Sequence, residues 1–204
     1  IAPLAGGGRE RPLFEARGRN GSPVWSPDGT KLAFVSARGD HSFIGVFDLQ
    51  KRTITWLAPS VDRDRSPVWA PDGRRLAFIR IPGAMADPPR TREWELPFSL
   101  YVADVETGEA RLVWTSPNAT AGFAQTYPAE PLRWAAGDRL VFYSEHEGWM
   151  HLYSVPVNGG KETALTPGEF EVEDSALSPD GRAIVFNSNQ GDICLLYTSD
   201  AADE

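Results

Sequence analysis

The stretch SPVWSPDGTKLAF at residues 22–34 returns 44 positions later as SPVWAPDGRRLAF at residues 66–78. A third copy, PLRWAAGDRLVF at residues 131–142, is one residue shorter between Trp134 and Phe142. A fourth, SALSPDGRAIVF at residues 175–186, carries Leu177 where the others have Trp25, Trp69 and Trp134. A fixed period of about 20 to 50 residues decides architecture before any single motif does. In the Pro-Asp-Gly of the first, second and fourth copies, Pro presets the backbone of a type I turn, Asp bonds local amides, and Gly takes the left-handed conformation that closes a bulged hairpin. The strand after the turn, residues 32–35 in the first copy, is apolar at every position. Such a strand is covered on both faces rather than half wet.

The later half of each unit repeats as well. IGVFDL at residues 44–49, LYVADV at 100–105 and LYSVPV at 152–157 are short apolar strands, the last two followed by Thr107-Gly108 and Asn158-Gly159-Gly160 turns. Gly7-Gly8 with Leu13 and Pro27 repeats the offsets of Gly159-Gly160 with Leu165 and Pro179, so the chain is expected to begin inside a unit. The repeat markers lie 44, 65 and 43 residues apart, which places an insertion of about 21 residues in the second unit. Four-stranded blades of about 40 to 45 residues have this period, and stacked blades cover a central strand on both faces. The expected fold is all-β: a β-propeller built of WD40-like repeats, present as an incomplete arc of about four blades. The domain is read as residues 1–193, with units 1–19 (the end of a blade), 20–63, 64–126, 127–170 and 171–193 (the start of one). Residues 194–204, CLLYTSDAADE, resemble a translated sequencing adapter and are set aside as a non-native tail.

Composition narrows the function. The 204 residues include 19 Gly and 17 Pro, which argues for many turns, and 7 Trp, 10 Phe and 5 Tyr, which favour strands. A net charge of −8 with both signs interspersed gives no electrostatic footprint for nucleic acid. The longest apolar runs are far shorter than the roughly 18 residues of a membrane-spanning helix. The single cysteine, Cys194, supports neither a disulfide nor a cysteine zinc site. The opening residues lack the order of a signal peptide, and the compartment stays open between periplasmic or secreted and cytoplasmic, with a bacterial origin expected.

The Trp-Ser-Pro-Asp-Gly repeats resemble blades of Tol-type and prolyl oligopeptidase-type propellers. More specific is SEHEGWMHLY at residues 144–153, followed by Asn158-Gly159-Gly160 and by LTPGEFEV at residues 165–172. This segment resembles the late blades of the N-terminal propeller of dipeptidyl peptidase IV-like serine peptidases. The resemblance covers about residues 20–193. It implies a propeller that restricts access by size and holds the unreactive end of a peptide substrate. The Ser, Asp and His of catalysis would then lie in a C-terminal α/β-hydrolase domain missing from this chain, and no Gly-x-Ser-x-Gly elbow occurs in the 204 residues. The family's amine-binding Glu-Glu pair is also missing: the comparable region, residues 59–66, holds Asp62 and Asp64 instead. The other reading is a non-enzymatic Tol-type propeller whose rim binds proteins in the periplasm.

Asp62 and Asp64 are spaced to share a face of an extended strand, where they could bind a substrate amine; Arg63 and Arg65 beside them fit a solvated loop equally well. Pro67 and Gly73 stand where a calcium loop needs Gly and Glu, so calcium is not expected. Trp94, in the insert at residues 83–97, is the third substrate-binding candidate, since long loops often carry function. His146 and His151 lack a convergent third ligand, and His151 reads as a hydrogen-bonded strand-entry residue. Glu145 and Glu147 give only a weak acid-pair signal. Asn20-Gly21-Ser22 and Asn118-Ala119-Thr120 match glycosylation acceptors. No catalytic residue, cofactor or metal is assigned to this chain, and its expected partners are a peptide substrate and the hydrolase domain.

Overall fold

The computed structural model describes residues 12–83, 97–117 and 130–190, together with the backbone of Leu195–Asp200. Among these residues there is no α-helix, and the strands form four consecutive meandering blades, the first two joined in one eight-stranded sheet. Blade I comprises β1 (Arg19–Trp25), β2 (Lys31–Ala37), β3 (Ser42–Asp48) and β4 (Ile54–Leu57). Blade II comprises β5 (Arg63–Trp69), β6 (Arg75–Ile81), β7 (Ser99–Asp104) and β8 (Ala110–Thr115). Blade III comprises β9 (Leu132–Ala135), β10 (Arg139–Ser144), β11 (His151–Pro156) and β12 (Thr163–Ala164). Blade IV contributes β13 (Val172–Leu177), β14 (Ala183–Ser188) and β15 (Leu195–Asp200). Strands pair antiparallel within each blade, and a single parallel bridge, Ser42 with Arg63, ties β3 to β5. This is the fold of a partial β-propeller.

The hairpin from the first to the second strand forms as its residues dictate. In blade I the Gly29 amide donates to the Ser26 carbonyl at 2.9 Å, and the Ser26 amide donates to Lys31 at 2.9 Å. Gly73 to Ala70 (3.0 Å) and Gly181 to Ser178 (2.8 Å) repeat the turn in blades II and IV. Gly29, Gly73 and Gly181 have φ of 69°, 65° and 73°, the left-handed region where a Cβ is disfavoured. Asp28 accepts the Thr30 amide at 3.0 Å and the Ser26 hydroxyl at 2.6 Å, which fixes the corner from the side chain.

Side-chain alternation divides each second strand between two inter-blade cores. Along β6, Leu76 and Phe78 pack towards blade I with Ala33, Ile44, Val46 and Leu57. Ala77, Ile79 and Ile81 of the same strand pack towards blade III with Leu140 and Phe142. Along β10, Leu140 and Phe142 face blade II, whereas Val141 and Tyr143 face blade IV with Ile184 and Phe186. Phe78 and Phe142 are fully buried, and each such side chain contributes about 1.5–3 kcal/mol. Polar contacts clip the same junctions: Arg75 bonds Asp138 across blades II and III, and Lys51 bonds Glu106 across blades I and II.

Two features go beyond the sequence reading. Trp69 and Trp134 are buried packing residues, but Trp25, at the same repeat position, is 48% exposed because no described blade lies beyond that face. Residues 195–200, set aside above as part of a non-native tail, run as β15 antiparallel to β14 from Ala183–Asp200 to Ser188–Leu195. The physical reason is the edge of β14, whose backbone groups away from β13 offer a ladder to any extended segment.

Candidate functional site

The first strands of the four blades, β1, β5, β9 and β13, line a cavity of about 840 Å³. It lies where a propeller has its axis, and its wall changes chemistry along its length. The hairpin end is apolar, with Val24, Val68, Trp69 and Trp134. The end where β5 and β9 begin carries Arg63, Arg65, Glu130 and Arg133, with His41 nearby.

The Ser-Pro step shapes this wall. Ser22 and Ser66 adopt φ of 48° and 53°, and the register of β1 with β2 and of β5 with β6 slips at these points. Each is a β-bulge, a device that kinks the strand and re-aims the residues before it. On β5 those residues are Arg63, Asp64 and Arg65, which alternate across the strand.

Asp64 turns into blade II. Its side chain is fully buried and meets Arg80, its register partner on β6, in a two-pronged contact of 2.7 Å to Nε and 2.9 Å to Nη2. Arg80 also donates to the Ala58 carbonyl at 2.7 Å and lies over the Tyr101 ring. Burial pushes the Asp64 carboxyl up, against the pull of Arg80. Asp62 precedes the strand, where it accepts the Gly83 amide at 3.1 Å and the Ser60 hydroxyl at 3.3 Å. The structure therefore does not join Asp62 and Asp64 into an amine-binding pair: one is consumed by Arg80 and the other caps a loop. Trp94 lies outside the described residues, as does Asn118-Ala119-Thr120.

The arginines that accompany the acids line the cavity beside Asp64. Arg63 Nε donates to the Asp40 carbonyl at 3.0 Å. Arg65 is depressed below the usual guanidinium range, first by burial and then by the charge of Arg63. Arg133, with 8% of its side chain exposed, donates to the Ser175 hydroxyl (2.9 Å) and carbonyl (2.7 Å) and contacts Glu130 at 3.3 Å. Tyr143 donates to the same Ser175 hydroxyl at 2.6 Å, which locks the head group of Arg133 against blade IV. The sequence signal for Arg133 is a cation immediately before the repeat Trp, where the other units have Val24, Val68 and Ala176.

The histidine segment is structural. His151 Nε2 lies 2.9 Å from the Gly168 carbonyl, and Thr166 Oγ1 accepts the Leu152 amide at 3.0 Å, so the strand entry holds the Thr-Pro-Gly loop. The Glu171 carboxylate accepts the Met150 amide at 2.9 Å. Glu147 accepts the Tyr153 phenol at 3.1 Å, and His146 stacks near Tyr153 at 4.4 Å. These contacts account for the His-x-x-x and Glu-Val spacing as blade III packing onto the start of blade IV.

Fold and cavity together define a partial β-propeller with a cavity lined by its inner strands. Residues 96–194 match the family described as the dipeptidyl peptidase IV (DPP IV) N-terminal region. A 32-residue stretch is 66% identical to dipeptidyl peptidase 4 of Arthroderma otae, covering 16% of this chain and 4% of that protein. The chain thus matches only a small part of the length of such relatives. Among solved structures, a puromycin-hydrolyzing peptidase of Mycobacterium tuberculosis superposes with a TM-score of 0.64 at 26% identity, over 88% of this chain and 28% of that one. TolB of Acinetobacter baumannii superposes with a TM-score of 0.62 at 20% identity, over 93% of this chain and 43% of that one, a likeness of fold.

Proposed function

We propose that this propeller admits and positions peptides for a serine exopeptidase or oligopeptidase whose bond-breaking residues belong to an α/β-hydrolase domain outside these 204 residues. The observation that carries the reading is the match of residues 96–194 to the DPP IV N-terminal region. The inner-strand cavity supports it: an apolar wall with Val24, Val68, Trp69 and Trp134 gives way to a charged end with Arg63, Arg65, Glu130 and Arg133. Contacts made there, remote from the reacting bond, are binding energy that orients the bond at a distant nucleophile and lowers the entropy cost of attack. Acidic amine recognition of the dipeptidyl type is not part of the proposal, because Asp64 is committed to Arg80.

The test is to treat the full-length gene product with a fluorophosphonate probe and to assay it on short peptide nitroanilides. Covalent labelling of one serine together with peptide turnover is the expected result. An intact, folded product that is not labelled overturns the peptidase reading. If that product instead captures a protein partner through the blade rim, the Tol-type alternative takes its place.

A further inference from the structure

Two Asn-Gly steps occur in the chain, Asn20-Gly21 and Asn158-Gly159. In such a step the glycine nitrogen can attack the asparagine side-chain carbonyl, because no Cβ hinders its approach. The two steps stand in opposite settings. Asn20-Gly21 lies within β1, paired with Ser36 and Val35 of β2, and the Asn20 side-chain nitrogen is turned back onto the Ala16 carbonyl at 2.9 Å. A laddered, extended backbone keeps the Gly21 nitrogen from swinging onto Asn20 Cγ. Asn158-Gly159 instead forms the turn after β11, where Asn158 and Gly160 are exposed and the two glycines have φ of 86° and 132°. The attacking nitrogen is tied there by a turn bond to the Pro156 carbonyl at 2.9 Å. The Asn158 carbonyl is engaged from the neighbouring blade: Arg111 of β8 donates through Nη2 to Asn158 Oδ1 at 3.0 Å. Negative charge develops on this oxygen when a nitrogen adds to Cγ, and a cationic donor placed on it stabilises that charge. The three Asp-Gly steps at the hairpin corners offer the same nitrogen but a poor electrophile. Asp28, Asp72 and Asp180 accept the Thr30, Arg74 and Arg182 amides at 3.0, 2.8 and 3.2 Å, the bonding of carboxylates, which resist addition.

We infer that Asn158 is a site of spontaneous deamidation, promoted by Arg111 across the junction of blades II and III. The Gly159 nitrogen bonds to Asn158 Cγ and gives up its proton to hydroxide. The oxyanion held by Arg111 then collapses, the Cγ–Nδ2 bond breaks, and the departing nitrogen takes a proton from water and leaves as ammonia, closing a succinimide. Water adds to either ring carbonyl and breaks its bond to nitrogen. Position 158 becomes aspartate, or isoaspartate where the main chain now runs through the former side chain. Aspartate gives Arg111 a charged acceptor in place of a neutral one, a bond roughly twice as strong. Isoaspartate lengthens the backbone of a turn that rests on β8, where a Cβ at Gly159 would stand 3.6 Å from the Val113 carbonyl. Either product adds one negative charge at this junction.

The test holds the unaltered full chain in mildly alkaline buffer at physiological temperature, with and without denaturing urea. Peptide mapping by mass spectrometry follows the amide-to-acid mass gain at positions 158 and 20. In native buffer position 158 is expected to convert at least about tenfold faster than position 20, and urea is expected to bring the two rates close together. Arg111→Gln is expected to slow position 158 about three- to tenfold in native buffer and to leave its rate in urea unchanged. That is less than the roughly hundredfold of an enclosed oxyanion donor, because this turn is open to water. Arg111→Lys should keep part of the effect. Equal native rates at the two positions, or conversion of neither, overturn the site. A preference for position 158 that persists in urea overturns it too, since sequence alone would then set the rate. A fast position 158 that ignores Arg111→Gln in a variant folded by circular dichroism overturns the promotion by Arg111. The comparison of the two positions uses the unaltered chain, so a variant that fails to fold does not rescue the idea.

Discussion

Asp64 shows how one side chain can look like a ligand in sequence and be a structural tie in space. Its side chain is fully buried, and both carboxylate oxygens are taken by Arg80. Removing one partner of a buried ion pair strands the other charge, at about 3–5 kcal/mol. Asp64→Ala is therefore expected to lower unfolding stability by that amount in a urea titration. Asp62→Ala, which gives up only loop hydrogen bonds, should cost about 1 kcal/mol. Equal losses would mean that Arg80 is not Asp64's essential partner. The i, i+2 spacing was legible and correctly put Asp64 on an extended strand, but spacing says nothing about the cross-strand neighbour. Arg80 sits 16 residues further on, beyond the turn, and only the register of β5 with β6 brings it opposite. For the same reason spacing left Arg63 and Arg65 fitting a solvated loop, whereas they line the cavity together with Asp64.

At the scale of elements, the repeat carried most of the fold. Turn chemistry located the hairpins, and the continuous apolar character of residues 32–35 and 76–79 foretold strands packed on two faces. What the repeat concealed was that equivalent tryptophans need not do equivalent work. Trp69 donates its indole Nε1–H to the Val24 carbonyl of the preceding blade at 3.0 Å, a direct tie between β5 and β1. Trp134 has its Nε1 buried without a hydrogen-bond partner among the described residues, and its ring is covered by the Arg75 guanidinium at 5.0 Å. A phenyl ring keeps most of the packing and deletes the donor. Trp69→Phe then loses a hydrogen bond and leaves a part-buried carbonyl wanting, whereas Trp134→Phe removes an unsatisfied donor. The first is expected to be less stable than the second by about 1–2 kcal/mol in parallel denaturant titrations. Amide exchange should also quicken in β1 and β5 for Trp69→Phe alone. A reversed order would show that the two indoles are held by something other than these contacts.

Across the whole molecule, two sets of titrating groups depress stability in acid at different pH. His146 is wedged between Trp114 and Tyr153 with 6% of its side chain exposed. Burial moves its imidazole below the ordinary value of 6.5, against the nearby Glu147 and Glu162 and with a small further push from His151. The fold thus favours neutral His146, so the unfolded chain takes up a proton first. Stability is expected to fall as pH drops below about 6.5 and to stop changing once the folded imidazole is itself protonated. The turn carboxylates act lower. Asp28 is drawn from 3.8 to about 2 by the Ser26 hydroxyl and by the Thr30 amide and hydroxyl. Asp180 and Asp104 are lowered in the same way, chiefly by the Ser178 hydroxyl and the Thr107 amide respectively. Their contribution is complete above the unfolded value and is lost as pH falls through the folded one, because protonation removes the acceptors that hold the blade corners. Thermal melting followed by circular dichroism should therefore decline in two stages, one beginning near pH 6.5 and one below about pH 4. His146→Gln should erase the first stage and spare the second, while Asp28→Asn should lower stability at neutral pH and shrink only the second. A first stage that survives His146→Gln would move the effect to another group and break the link drawn between this buried ring and the pH response of the fold.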